Sequence, residues 1–179
     1  MPRKRAARRW WSAEPLVALE LYRIDDRLIH GQVVVGWGQP LNLRFFVLVD
    51  DEVAASDWEQ ELYRMGVPPD VDVYFDAVDV AAGNLDRYRE DARRGLLLTG
   101  DITTMARLVE ATGDIRHVNL GGIHHRPGRI QRLRYLFLTP DEETLLRGLE
   151  VRGVEVTAQD VPAARPLPLA EILTGEGNR

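Results

Sequence analysis

The chain contains no cysteine. That removes disulfides, zinc–thiolate sites, iron–sulfur clusters and cysteine nucleophiles together. Lysine is nearly absent as well: of 23 basic side chains only Lys4 is a lysine. Schiff-base chemistry therefore lacks its nucleophile. A Walker-type phosphate loop lacks the Gly-Lys-Ser/Thr it requires. Any phosphate handling falls to arginine, histidine and backbone amides. The longest apolar run is FFVLV at residues 45–49, whereas a membrane span needs about 20 residues.

What is present suits one globular domain. The chain has 179 residues, 45% hydrophobic and 28% charged, enough to bury a core and too apolar for a wholly disordered chain. Charge is unevenly spread. Residues 1–15 hold five of the 23 basic side chains but only one of the 28 acidic ones, so the remainder is acidic. An acidic body argues against a nucleic-acid partner. Residues 1–15 (MPRKRAARRWWSAEP) show no period and no apolar signal-peptide core. They read as a disordered basic extension, or alternatively as a basic–aromatic anchor for an acidic partner or an anionic membrane surface.

From residue 16 onward short apolar runs alternate with amphipathic segments. Strands are expected at 16–22, 44–49, 71–75, 96–99, 117–120, 133–138 and 154–158. Helices are expected at 31–37, 57–65, 77–85, 101–110 and from Thr139-Pro140 to about 151, with Ser56, Asp101 and Thr139 as caps. Alternation of this kind implies βαβ units. The expected fold is an open, doubly wound, mostly parallel α/β sheet of about seven strands in one domain, spanning 16–162. Residues 163–179 read as a tail in which 167–173 has the pattern to dock as a short helix.

Ligands of such sheets bind beyond the carboxyl ends of the strands. Two of those loops concentrate polar residues. The first is Arg23-Ile24-Asp25-Asp26-Arg27-Leu28-Ile29-His30-Gly31-Gln32, and the second runs from Gly121-Gly122 through His124, His125 and Arg126 to Arg129. Histidine is a nucleophile that titrates near neutral pH, and Arg27 stands three residues before His30. A ring nitrogen beside a guanidinium makes the parts of a phosphohistidine site. Arg126 and Arg129 are further phosphate candidates, because guanidinium is always charged.

The string YRIDDRLIHGQVVVGW closely resembles the active loop of the enzyme IIB component of the mannose/sorbose family of the bacterial sugar phosphotransferase system. VLVDDEVAASDWEQELYRMGVPPDVDV, VNLGGIHHRPGR and LTPDEETLLRGLEVRGVEVTAQDVP resemble further stretches of that family, together covering about residues 16–162. The resemblance implies a protein-Nπ-phosphohistidine–sugar phosphotransferase component. It places the phosphorylated histidine on His30 and the phosphate clamp on Arg27, with Asp25 and Asp26 as orienting residues. Gly31, Gln32, Gly121, Gly122, His124 and Arg126 would then line the phosphate or face a partner. It further implies a phosphorylated IIA component as donor, membrane IIC and IID components and a sugar as acceptor side, no cofactor or metal, a possible homo-oligomer, and a cytoplasmic location at the inner membrane.

Three other readings compete. Asp50, Asp51 and Glu52 with Asp25 and Asp26 could form a magnesium pocket, but no lysine follows a later strand, and aspartates of this kind commonly serve turns and caps. Gly121-Gly122 lacks the Gly-x-Gly-x-x-Gly spacing of a dinucleotide loop. A regulatory phosphoryl-accepting module without a sugar-transport partner is the alternative to the transport component. Trp37 and Trp58 read as core or interface residues.

Overall fold

The computed structural model describes residues 18–175. Residues 1–15 and the first part of the expected first strand lie outside that range.

Among the described residues, nine strands and six α-helices follow one another. β1 is Leu19–Ile24, followed by a π-helix at Gln32–Trp37, then β2 at Phe45–Val49. α1 (Asp51–Ala54) and α2 (Asp57–Met65) lead to β3 (Asp72–Asp76), and α3 (Val78–Arg89) to β4 (Gly95–Thr99). α4 (Ile102–Thr112) leads to β5 (His117–Leu120). β6 (Ile130–Leu133) and β7 (Leu136–Leu138) precede α5 (Pro140–Val151), β8 (Glu155–Ala158), β9 (Leu167–Pro168) and α6 (Leu169–Thr174). Seven strands form one sheet in the order β3-β2-β4-β1-β5-β8-β9, parallel except for β9, which runs antiparallel to β8.

Strand and helix ends follow local chemistry. All five residues of β2 are buried, as are all five of β4, the pattern of strands covered on both faces. Asp50, Ser56, Asp101 and Thr139 each cap a helix with a side-chain oxygen on a first-turn amide. At Thr139 the cap is reciprocal, because Glu142 reaches back to the Thr139 amide. α4 stops at Gly113 with φ 70°, a left-handed conformation that glycine adopts without strain.

Two apolar clusters lie on opposite faces of the sheet. Val33, Val34 and Trp37 of the π-helix and Tyr63 of α2 pack on one face, against Phe46, Leu48, Leu96 and Leu98. α3, α4, α5 and α6 pack on the other, against Phe45, Val47, Val49 and Leu97. The chain therefore leaves β1 toward one face while its sheet neighbours β4 and β5 lead to α4 and the β6–β7 hairpin on the other. That divergence opens a crevice at the carboxyl end of β1.

Several expectations need correction. β1 extends to Ile24, so Arg23 and Ile24 are strand rather than loop residues. The helix after His30 is a π-helix, closed by a Gly38 amide bond to the Val33 carbonyl five residues back. α1 was not expected; its four residues are too few to show a period. The expected strand at 133–138 is a hairpin, β6–β7, in its own two-stranded sheet. An Arg134-Tyr135 turn divides it, and no glycine or proline marks that turn. β9 supplies the seventh strand of the main sheet instead. α3 runs on to Arg89, absorbing part of a charged stretch: Arg89 bonds Tyr22 and Asp114 at the surface.

Candidate functional site

The crevice at the end of β1 is built on a buried charge pair. Arg23 points toward the π-helix face and is fully buried. Its Nη1 donates to Asn119 Oδ1 at 2.5 Å and to the Gln159 carbonyl at 2.8 Å, and its Nη2 donates to Asp25 Oδ2 at 3.1 Å. The guanidinium carbon sits 4.8 Å from the centre of the Trp37 ring. Burial pushes Arg23 below its ordinary pKa, and the Asp25 carboxylate opposes that shift. Nε finds no hydrogen-bond partner among the described residues.

Gly121 is explained by this guanidinium. A side chain at 121 would begin 2.2 Å from Arg23 Nη2, so only glycine lets β5 pass. Gly122 closes on the same carboxylate, its amide donating to Asp25 Oδ2 at 3.1 Å.

Asp25 is the hub of the loop. It is fully buried, and its Oδ1 accepts from the Arg27 amide at 3.3 Å. The same oxygen lies 3.9 Å from Arg27 Nε and 3.9 Å from His30 Nδ1. Leu28, between them, holds φ 52°, a strained conformation for a leucine. That kink turns the chain so that the Leu28 carbonyl lies 2.9 Å from His30 Nδ1. A carbonyl only accepts, so in this arrangement Nδ1 is the donor. Nε2 is covered by protein and has no partner among the described residues. Arg27 reaches outward, 45% exposed, with Nη2 donating to Gln32 Oε1 at 2.9 Å.

The loop after β5 forms the opposite wall. Asp26 accepts from the His124 amide at 2.7 Å and faces His124 Nδ1 at 2.6 Å. A side chain at Gly122 would begin 3.0 Å from His124 Cε1, 3.4 Å from Asp25 Oδ1 and 3.6 Å from Arg27 Nη2. Those three groups therefore converge on one small space. Gly31 opens the π-helix beside His30, and Arg126 is exposed.

The remaining candidates hold other partners, with Arg129 beside the site: its Nη1 lies 3.7 Å from Asp26 Oδ2 and donates to the His124 carbonyl at 2.8 Å. Arg129 is held inward by Glu142, with Nη2 to Oε1 at 2.6 Å, and its side chain is 7% exposed. It braces the loop rather than presenting a free guanidinium. Burial resists charge on Glu142, yet Arg129 and the Thr139 amide outweigh it and hold the carboxyl below the usual range. His125 stacks edge-on against Phe137. Asp50 and Asp51 are committed to helix amides, at Glu52 and Val53 and at Val78 respectively. Trp37 is core, and Trp58 stands on the surface of α2. The residue missed by sequence reasoning is Arg23. Its only signal is a second charged residue in β1, two positions before Asp25.

Fold and loop together define a class: a doubly wound α/β domain that gathers a histidine, an arginine and buried carboxylates at the crevice of its sheet. The chain belongs to the sorbose-subfamily IIB components of the phosphotransferase system (PTS), whose family model matches residues 19–179. It is 32% identical over 162 residues to the mannose-specific EIIAB component of Escherichia coli K12, covering 88% of this chain. It spans about half of that relative's length, 49%. It is also 32% identical over 145 residues to the N-acetylgalactosamine-specific enzyme IIB component 1 of the same organism, 79% of this chain and 90% of that one. Among solved structures, the IIB domain of the sorbose permease from Klebsiella pneumoniae superposes with a TM-score of 0.78 at 25% identity, covering 87% of this chain and 96% of that one. The manxB structure from Thermoanaerobacter tengcongensis superposes with a TM-score of 0.76 at 29% identity, covering 87% and 95%. PTS IIB components are phosphotransferases. No helix among the described residues is long and apolar enough to cross a membrane.

Proposed function

We propose that this chain is a phosphohistidine carrier. His30 accepts a phosphoryl group from a phosphorylated IIA component and passes it to a sugar entering through membrane IIC and IID components, at the cytoplasmic face of the membrane. The observation that carries this reading is the shared carboxylate oxygen: His30 and Arg27 both lie 3.9 Å from Asp25 Oδ1, in the crevice of the sheet. A nucleophilic ring and a permanent cation are thereby held side by side.

In the first step the donor's N–P bond breaks as a bond forms from phosphorus to a His30 nitrogen. One imidazole replaces another, so no net proton is released. In the second step a sugar hydroxyl attacks phosphorus, the His30 N–P bond breaks, and the hydroxyl proton passes to the released imidazole. Arg27 opposes the charge on the phosphoryl oxygens. Asp25 orients both groups. Asp26 holds the His124 loop against them. Gly121 and Gly122 permit the close approach, while His124 and Arg126 line the rim that meets a partner.

The ring must leave its resting arrangement before it accepts, because Nδ1 is engaged by Leu28 and Nε2 is covered. The lost hydrogen bond costs about 1 kcal/mol, small against the affinity of a docked donor. The test is intact-mass spectrometry at neutral-to-alkaline pH after incubation with a phosphorylated mannose-family IIA domain that is active on a known acceptor. One acid-labile phosphoryl group on wild type, and none on His30→Gln, is the expected result. Labelling of His30→Gln, or of neither protein, overturns the assignment.

A further inference from the structure

We infer that Gln32 is a positioning residue that aims Arg27 at the phosphoryl group, and that its own place is set from the far end of the chain, by the turn after β8. This rests on the phosphoryl-transfer reading above. Gln32 Oε1 accepts from Arg27 Nη2 at 2.9 Å, and Gln32 Nε2 donates to the Asp160 carbonyl at 3.1 Å. Both partners are chemically one-sided: a guanidinium only donates and a carbonyl only accepts. The carboxamide therefore has a single satisfied orientation, with its oxygen toward Arg27.

The anchor itself is rigid. The Asp160 carbonyl also accepts from Trp37 Nε1 at 3.0 Å, and the Gln159 carbonyl accepts from buried Arg23. The Gln159 amide continues the sheet register by donating to the Leu120 carbonyl. Its side chain ties the turn forward, Nε2 donating to the Pro162 and Ala164 carbonyls. Three side chains from β1 and the π-helix thus converge on two consecutive carbonyls more than 120 residues away in sequence. Arg27 has a long, flexible stem and is nearly half exposed. Among the described residues, the carboxamide is the group that its guanidinium hydrogen-bonds, beyond the remote Asp25 oxygen.

The test is a double-mutant cycle on the rate of phosphoryl acceptance by His30 from the IIA donor. Gln32→Ala should slow transfer roughly tenfold to a hundredfold, the scale of a misplaced catalytic group. Its KM for the donor should be unchanged, since its effect runs through the aim of Arg27 at the phosphoryl group. Gln32→Glu should be slowed too, because a carboxylate cannot donate to the Asp160 carbonyl. In an Arg27→Ala background, Gln32→Ala should add nothing, because its effect runs through the missing guanidinium. Losses that multiply in the double variant overturn the inference, as does a wild-type rate for Gln32→Ala. A wild-type rate for Arg27→Ala would instead overturn the transfer reading itself. Circular dichroism on each variant confirms that the folded protein is what is being assayed.

Discussion

The chain leaves β1 through Asp25-Asp26 and leaves β2 through Asp50-Asp51, the same dipeptide at the same edge of the sheet. After β2 the carboxylates meet backbone amides. Asp50 caps α1, and Asp51 reaches the first amide of α3 at Val78 while pairing with Arg107 at the surface. After β1 no ordinary helix follows to be capped. Asp25 is fully buried against Arg23, and Asp26 holds a histidine from another loop. After β2 the carboxylates are used on helix-start amides and one surface ion pair. After β1 they organise a ring, two guanidiniums and a second loop, and that is what a reactive crevice requires.

Asp25→Asn probes the contrast most severely. It leaves the Arg23 cation buried without its counter-charge, a loss of about 3–5 kcal/mol, measurable by urea unfolding. If the cost is no greater than at Asp50, the distinction between the two turns collapses. Arg27→Ala comes next. It should slow phosphoryl acceptance by about 10²–10³-fold with little change in stability, since the side chain is well exposed; quenched-flow labelling measures it. Asp50→Ala should cost about 1 kcal/mol as a lost cap and leave the transfer rate at the wild-type value. A slowed rate there would tie the β2 turn to the site.

The smallest effect is a pH dependence. The Asp51 carboxyl is held below its usual value, first by the Val78 amide and then by Arg107. A depressed carboxyl stabilises the fold fully above the ordinary aspartate range near about 3.9. That contribution fades as pH falls through the lowered value in the folded state. Asp51→Asn should flatten the acid limb of the stability curve, with solvent keeping the change small. Unfolding midpoints collected between neutral pH and pH 3 would show it, and an unaltered limb would mean that Asp51 contributes nothing through its charge.

How far the chain could be read in advance depended on the kind of signal. FFVLV and GLLLT are apolar on both faces, and that alone marks central strands. Thr139-Pro140 followed by Glu142 marks a capped helix start, because each part acts on amides within one turn. The hairpin at β6–β7 escaped notice, since its Arg134-Tyr135 turn carries no glycine or proline and β6 itself is half polar. The helix at 31–37 was legible as a helix, but its π character was not, because six residues span barely one turn. At the site, the juxtaposition of Arg27 and His30 was legible because they stand three positions apart in one loop. Arg129 misled, because free guanidinium and buried brace look alike until Glu142 is placed beside it.

By itself, then, the sequence determined the alternation of strands and helices, the exclusion of thiol and lysine chemistry, and the loop that bears His30. Each of these is local, set by hydrophobic period, residue inventory or a contiguous string. Only the tertiary structure decided that Arg23 turns inward, that Gly121 must yield to it, that Asp26 reaches His124, and that Asp160 holds Gln32. Those contacts join residues two to 136 positions apart. They depend on which strands lie side by side, and strand order follows from how two apolar faces are covered rather than from any single segment.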